Sequence, residues 1–253
     1  MAIATLISDF GLKDYYVGAL KGNLLTNNPG LQIVDITHQI ESHDIVEAAW
    51  VLRNIKDTFP KGTFHIAYVK NHEANQSLIV FQANQQYFIG PNNGLFSLVI
   101  QNTSHQIFEL PYDKEVKPFA AIAGIIRDIR SGTPLEELCP KPTKLLTRLN
   151  ILPIVQQNQI RASVIHIDKY GNVIINLDRD LFKKVRKGRP FKIYFKHTDP
   201  ITRISNSYSD GTIGEAISLF NMHGNMVIAT IMGNASEELG LNKDETIQIM
   251  FEE

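Results

Sequence analysis

Up to about residue 140 the chain alternates apolar runs of strand length with stretches of helical periodicity, and beyond that point mainly the strand-like runs continue. Such alternation predicts an α/β layer with a mostly parallel sheet, because each parallel strand needs a crossover, usually a helix. Ile3 to Ile7 leads into a helix with Val17, Leu20 and Leu24 on one face, and Leu31 to Ile36 into one with Ile45, Ala48, Leu52 and Ile55. Asp44 and Glu47, three apart, suit a capping box for the second helix. Phe64 to Val69 and Leu78 to Phe81 read as further strands, Gly90 to Gly94 as a tight turn, Pro118 to Arg130 as a helix and Pro134 to Leu138 as a short one.

Two prolines within Cys139 to Thr143 resist both helix and central strand, which makes this the best linker. Beyond it lie six strand-like runs: Gln159 to Ile167, Val173 to Leu177, Phe191 to Phe195, Ala216 to Phe220, Met226 to Ile231 and Glu245 to Phe251. The expected architecture is an N-terminal α/β sandwich-type domain over 1–140, a linker over 141–154, and a smaller C-terminal antiparallel β-barrel-like domain over 155–253.

Charge and cysteine content narrow the function classes. A net charge of -1 without a clustered basic surface argues against nucleic-acid binding. The single Cys139 excludes an intramolecular disulfide and every multi-cysteine metal site. His38 and His43 are five apart, His72-Glu73 lacks a second histidine, and no HExxH or HxH occurs, so no metal site is expected. GxSxG, Walker and GxGxxG motifs are absent. No window nears the roughly 20 apolar residues of a membrane span, and the start lacks a basic, secretory-type segment, so the expectation is a cytoplasmic protein that engages no membrane.

Two glycine-anchored polar segments stand out, Ser8 to Asp14 and Asp168 to Asn172, each following a strand-like run. A carboxylate at Asp9 or Asp14, at a strand exit and helix mouth, can accept two ribose hydroxyls; it can equally be a turn residue or a helix-terminal acid. Asp168-Lys169-Tyr170-Gly171-Asn172 reads as a hairpin with Gly171 at positive φ. Tyr170 beside Asn172 also offers the aromatic face and amide that a purine or amino-acid head group needs, and Asn176 would share the Asn172 face.

The string from Ser8 to Gly22, SDFGLKDYYVGALKG, resembles the opening signature of the S-adenosylmethionine hydroxide adenosyltransferases, a family that includes fluorinating and chlorinating enzymes. Val34 to Ile40, Asp44 to Leu52, Phe59 to Thr63, Gly90 to Leu95, Pro134 to Leu138, Asp168 to Asn172 and Ala235 to Leu241 are similar to family blocks in family order. The resemblance implies displacement at the ribose C5′ of S-adenosylmethionine by hydroxide or halide, with no cofactor besides that substrate. It also implies a homotrimer in which the ligand lies between one subunit's N-domain and the next subunit's C-domain. Carried onto this chain, Asp9 takes the ribose hydroxyls and Asp14 and Tyr16 line the same pocket. Asp168, Tyr170 and Asn172 face the methionine and adenine ends, and Ala235 lies at the adenine edge.

The chain departs from the family where the attacking water is held. Lys70 stands at the Asp of the family's DPGVG loop, no Arg follows it, and an ungapped match through Phe119-Ala120 puts Lys114 at the His of the FHGRD motif. Protonated lysines cannot act as bases, though Lys70, His72 and Lys114 or Lys117 could cradle an anion. Met222-His223 and Ile231-Met232 replace further polar positions. The expectation is therefore an adenosyltransferase-like hydrolase with an altered reactive centre, and the rival a binding homologue that catalyses nothing.

Overall fold

The computed structural model describes residues 2–69, 77–100, 105–111, 117–148, 152–196 and 199–252. Lys70, His72 and Lys114 lie outside the described residues. The chain divides into two compact units, 1–149 and 150–253.

In the first unit β1 (Ile3–Ser8), α1 (Tyr16–Asn27), β2 (Gln32–Thr37), α2 (Ile45–Ile55) and β3 (Phe64–Tyr68) are followed by β4 (Leu78–Ala83), β5 (Gln86–Pro91), α3 (Leu95–Val99), β6 (Ile107–Glu109), α4 (Pro118–Arg130), α5 (Leu135–Leu138) and β7 (Pro142–Thr143). One sheet runs β2-β1-β3-β5-β4-β6-β7. Its β2, β1, β3 and β5 are parallel, whereas β4, β6 and β7 extend it by antiparallel pairing. β1 is buried along almost its whole length because both sheet faces are covered. Ala4 and Leu6 pack with Leu20, Leu24, Ile122 and Ile126 of α1 and α4; Ile7 packs in the opposite cluster with Ala48 and Leu52 of α2 and Phe96 of α3. Pro142 occupies the sheet edge, where its missing N–H is tolerated.

Local chemistry explains several boundaries. Asp44 caps α2 by accepting from the backbone of Val46 and Glu47, as the spacing predicts. The Glu47 carboxylate accepts from Glu41 N. The expected turn at Gly90 begins later, since β5 continues through Pro91. Gly90 is required there by space: a Cβ would stand 2.2 Å from Ala67 O.

The second unit contains β8 (Ile154–Val155), β9 (Gln159–Ile167), β10 (Val173–Asp178), α6 (Arg179–Arg186), β11 (Phe191–Tyr194), β12 (Ala216–Phe220), β13 (Asn225–Thr230), α7 (Ala235–Glu238) and β14 (Thr246–Phe251). Its strands form a curled antiparallel half-barrel, ordered β11-β14-β9-β10-β13-β12. β9 pairs with β14 through Gln159 to Ser163 and with β10 through Val164 to Ile167, and the β10 register skips Ile165. A skipped residue of this kind bends a strand, which suits a sheet that curls. Phe182 of α6 closes the core against Phe191, Phe220 and Phe251.

Candidate functional site

The first unit places its candidate acid where an open α/β sheet ordinarily binds ligands. β1 lies between β2 and β3, so the first crossover runs to one side of it and the second returns past it to the other; open α/β sheets bind ligands beyond the strand carboxyl ends at such a switch point. Ser8 and Tyr68 are register partners at that edge, and Asp9 follows directly. Asp9 is half-buried, and its Oδ2 accepts from His43 N at 3.0 Å. Gly11, at φ 67, turns the chain back and donates to His38 O at 2.7 Å.

Aromatic rings form one wall. The Phe10 ring centroid is 5.6 Å from Tyr16, 5.4 Å from Tyr68 and 5.7 Å from Phe119. Tyr16 is partly exposed, and its phenol is raised above the ordinary value, first by Tyr15 beside it and, to a lesser degree, by Asp14. Asp14 is exposed and stands before the N-cap Tyr15; α1 has no acid in its first turn and no side-chain cap. Asp9, Asp14 and Tyr16 thus share one strand-to-helix connection.

The Asn92-Asn93 pair, read from sequence as part of a turn and of the family-like block Gly90 to Leu95, fastens this region. Buried Asn93 donates through Nδ2 to Val69 O at 2.9 Å and accepts from Leu95 N at 3.1 Å. Asn92 N donates to Ser77 O at 2.9 Å, and its side chain bonds Lys144 O and Leu146 N. Paired asparagines after a strand, ahead of a glycine, were the available signal.

In the second unit Asp168 to Asn172 forms the tight β9–β10 connection, with Asp168 N donating to Asn172 O and Gly171 at φ 79. The Asp168 carboxylate is engaged by its own turn: Oδ1 accepts from Tyr170 N and Asn172 N, and Oδ2 from Asn172 Nδ2 at 2.8 Å. Asp168 therefore shapes the turn that displays Tyr170, a residue 78% exposed. Ser236 N donates to Gly171 O, and a Cβ on Gly171 would meet Asn234 Oδ1, so the block carrying Ala235 abuts this turn. Ala235 itself is fully buried in the core. Asn176 serves the fold, since its side-chain oxygen accepts from Ser163 N at 2.7 Å.

Cys139 is a poor nucleophile in its environment. Burial pushes the Cys139 thiol up to about 11, so it carries little thiolate near neutral pH. Among the described residues no helix is long and apolar enough to cross a membrane.

Comparison with known proteins covers both units. The SAM hydroxide adenosyltransferase N-terminal domain matches residues 4–129, and the C-terminal domain of the same name matches residues 162–248. The chain is 28% identical to an (R)-S-adenosyl-L-methionine hydrolase of Methanocaldococcus jannaschii, covering 98% of this chain and 96% of that one. A fluorinase of Nocardia brasiliensis is 24% identical over the same shares. An uncharacterized conserved protein from Thermotoga maritima, known from its crystal structure, superposes with a TM-score of 0.85 at 26% identity, covering 98% of this chain and 99% of that one. With both domains matched in order across most of its length, the chain belongs to the SAM hydroxide adenosyltransferase family.

Proposed function

We propose that the chain binds the adenosyl group of S-adenosylmethionine through Asp9 and that its displacement chemistry at C5′ is weakened. In the full reaction the oxygen of hydroxide bonds to C5′, the carbon–sulfur bond breaks, and its electron pair returns to sulfur, giving adenosine and methionine. The observation that carries the binding half is the place of Asp9: a half-buried carboxylate at a topological switch point, beside an aromatic wall. A carboxylate there accepts both hydroxyls of a ribose, while Phe10 and Tyr16 exclude water from one side. Asp14 belongs to the same lining, and Tyr170 and Asn172, held by Asp168, are the proposed contacts of the other unit with an adenosyl ligand, whereas Ala235 is buried in the core behind them.

Asp9→Asn tests this role. It keeps an oxygen for the His43 N–H but loses the charge, and adenosine binding is expected to weaken by roughly 1.5–3 kcal/mol, the range for a hydrogen bond to a charged group. Calorimetry returning equal affinity for wild type and a folded Asp9→Asn removes the assignment.

A second reading is favoured by the lysines at positions 70 and 114: an adenosyl-binding homologue without turnover. Either reading includes a homotrimer, as the family resemblance implies. Sedimentation equilibrium is expected to give three chain masses, and a concentration-independent monomer overturns the shared-site arrangement.

A further inference from the structure

Ser8, at the end of β1, is fully buried, and its hydroxyl lies 2.7 Å from His38 Nδ1. His38 is only 3% exposed; its Nε2 faces Asp35 Oδ1 at 3.1 Å, and Lys21 Nζ donates to Asp35 Oδ2. Burial raises the Asp35 carboxyl, but hydrogen bonds from Lys21 and His38 outweigh it and leave it below its ordinary value. An ionised carboxylate only accepts, so Nε2 carries an N–H toward Asp35, and in the neutral imidazole Nδ1 then accepts from the Ser8 hydroxyl. The order of residues is that of a nucleophilic triad, yet Ser8 is sealed from any substrate.

The side-chain relay parallels a set of backbone bonds between the same two segments. Gly11 N donates to His38 O at 2.7 Å, Ile40 N to Ser8 O at 3.4 Å, and His43 N to Asp9 Oδ2 at 3.0 Å. Asp9 is thus flanked by two residues, Ser8 and Gly11, each bonded to His38, one through its ring and one through its carbonyl. Asp35, two-fifths exposed on β2, anchors the ring from outside.

We propose that His38 is a positioning residue for Asp9, its imidazole wedged between Ser8 and Asp35 so that the carboxylate meets both hydroxyls of a vicinal diol at once. The proposal rests on the reading of Asp9 as the ribose acceptor and adds what holds it in place. Two simultaneous hydrogen bonds demand a tighter carboxylate position than one, because the bond weakens steeply with angle. A ligand with a single hydroxyl is therefore less sensitive to a small shift of Asp9 than a ligand with two.

The test compares adenosine with 2′-deoxyadenosine by calorimetry on wild type, Asp9→Asn, His38→Gln and Ser8→Ala, with thermal melting as the check on folding. Wild type is expected to prefer adenosine. His38→Gln and Ser8→Ala are each expected to lose about tenfold of affinity for adenosine, the loss of one net hydrogen bond, and little for 2′-deoxyadenosine, so that the preference collapses. Ser8→Ala removes one buried hydroxyl only, which keeps the test alive should His38→Gln not fold. If both folded variants keep the wild-type preference while Asp9→Asn loses it, the positioning role is overturned and the Asp9 assignment stands. If both ligands weaken equally in the variants, His38 is a general structural residue and the proposal falls. If wild type shows no preference, the Asp9 assignment fails and takes the proposal with it.

Discussion

Incubated with S-adenosylmethionine near neutral pH, the protein is expected to release adenosine and methionine far more slowly than the ~1 per second of an ordinary enzyme. The nucleophile must be held in line with the breaking carbon–sulfur bond, and such positioning can supply up to ~7–11 kcal/mol of barrier reduction. Lys70, Lys114 and the missing arginine take away the acid, base and guanidinium that the family resemblance assigns to that task. Restoring Lys70→Asp and Lys114→His together is expected to recover little, because groups that act as a unit are strongly non-additive. Chromatographic quantification of both products against a no-enzyme control, with chloride varied, decides the matter. Turnover at or above ~1 per second shows that the lysines support catalysis and that the centre is not disabled.

Gly90→Ala is expected to lower the stability of the first unit by about 3 kcal/mol or more, at the upper end for overpacking. The added Cβ would lie 2.2 Å from Ala67 O and 3.2 Å from the Phe96 ring. Neither can yield cheaply, since Ala67 is in the central parallel strand β3 and Phe96 is buried on α3. At ~2–4 °C per kcal/mol, the melting temperature is expected to fall by roughly 6–12 °C. Gly124→Ala is the control of opposite sign. It sits inside α4 with nothing within 4 Å of a Cβ, so alanine is expected to stabilise by up to about 1 kcal/mol. Melting curves for Gly90→Ala that coincide with wild type contradict the close-approach argument.

Elements whose signals are local were legible in the sequence. α4 runs from Pro118 to Arg130 as read, because proline at the first helical position and an apolar face stand in the sequence itself. β9 and β12 also keep their expected bounds. α6 escaped notice because it buries only Phe182 fully among charged neighbours, and α3 because its five residues, four of them apolar, are too few to show a period. In the site, the strand exits at Asp9 and Asp168 were legible. The partners of His38 and Asn93 were not, since Ser8 is 30 residues from His38 and Val69 is 24 from Asn93. The engagement of Asp168 by its own turn depends on backbone angles that residue types alone do not fix.

The two asparagines after β5 act on the ends of two other strands. Asn93 grips the carbonyl of Val69 and Asn92 that of Ser77, so adjacent residues clamp both ends of the intervening seven-residue stretch. Val69 and Ser77 are thereby tied to one short turn after β5, so the exit from β3 and the entry to β4 are held by two adjacent residues of that turn. Substitutions between positions 69 and 77 therefore leave untouched the two bonds that fix where β3 ends and β4 begins, since both are made to backbone carbonyls at the boundaries.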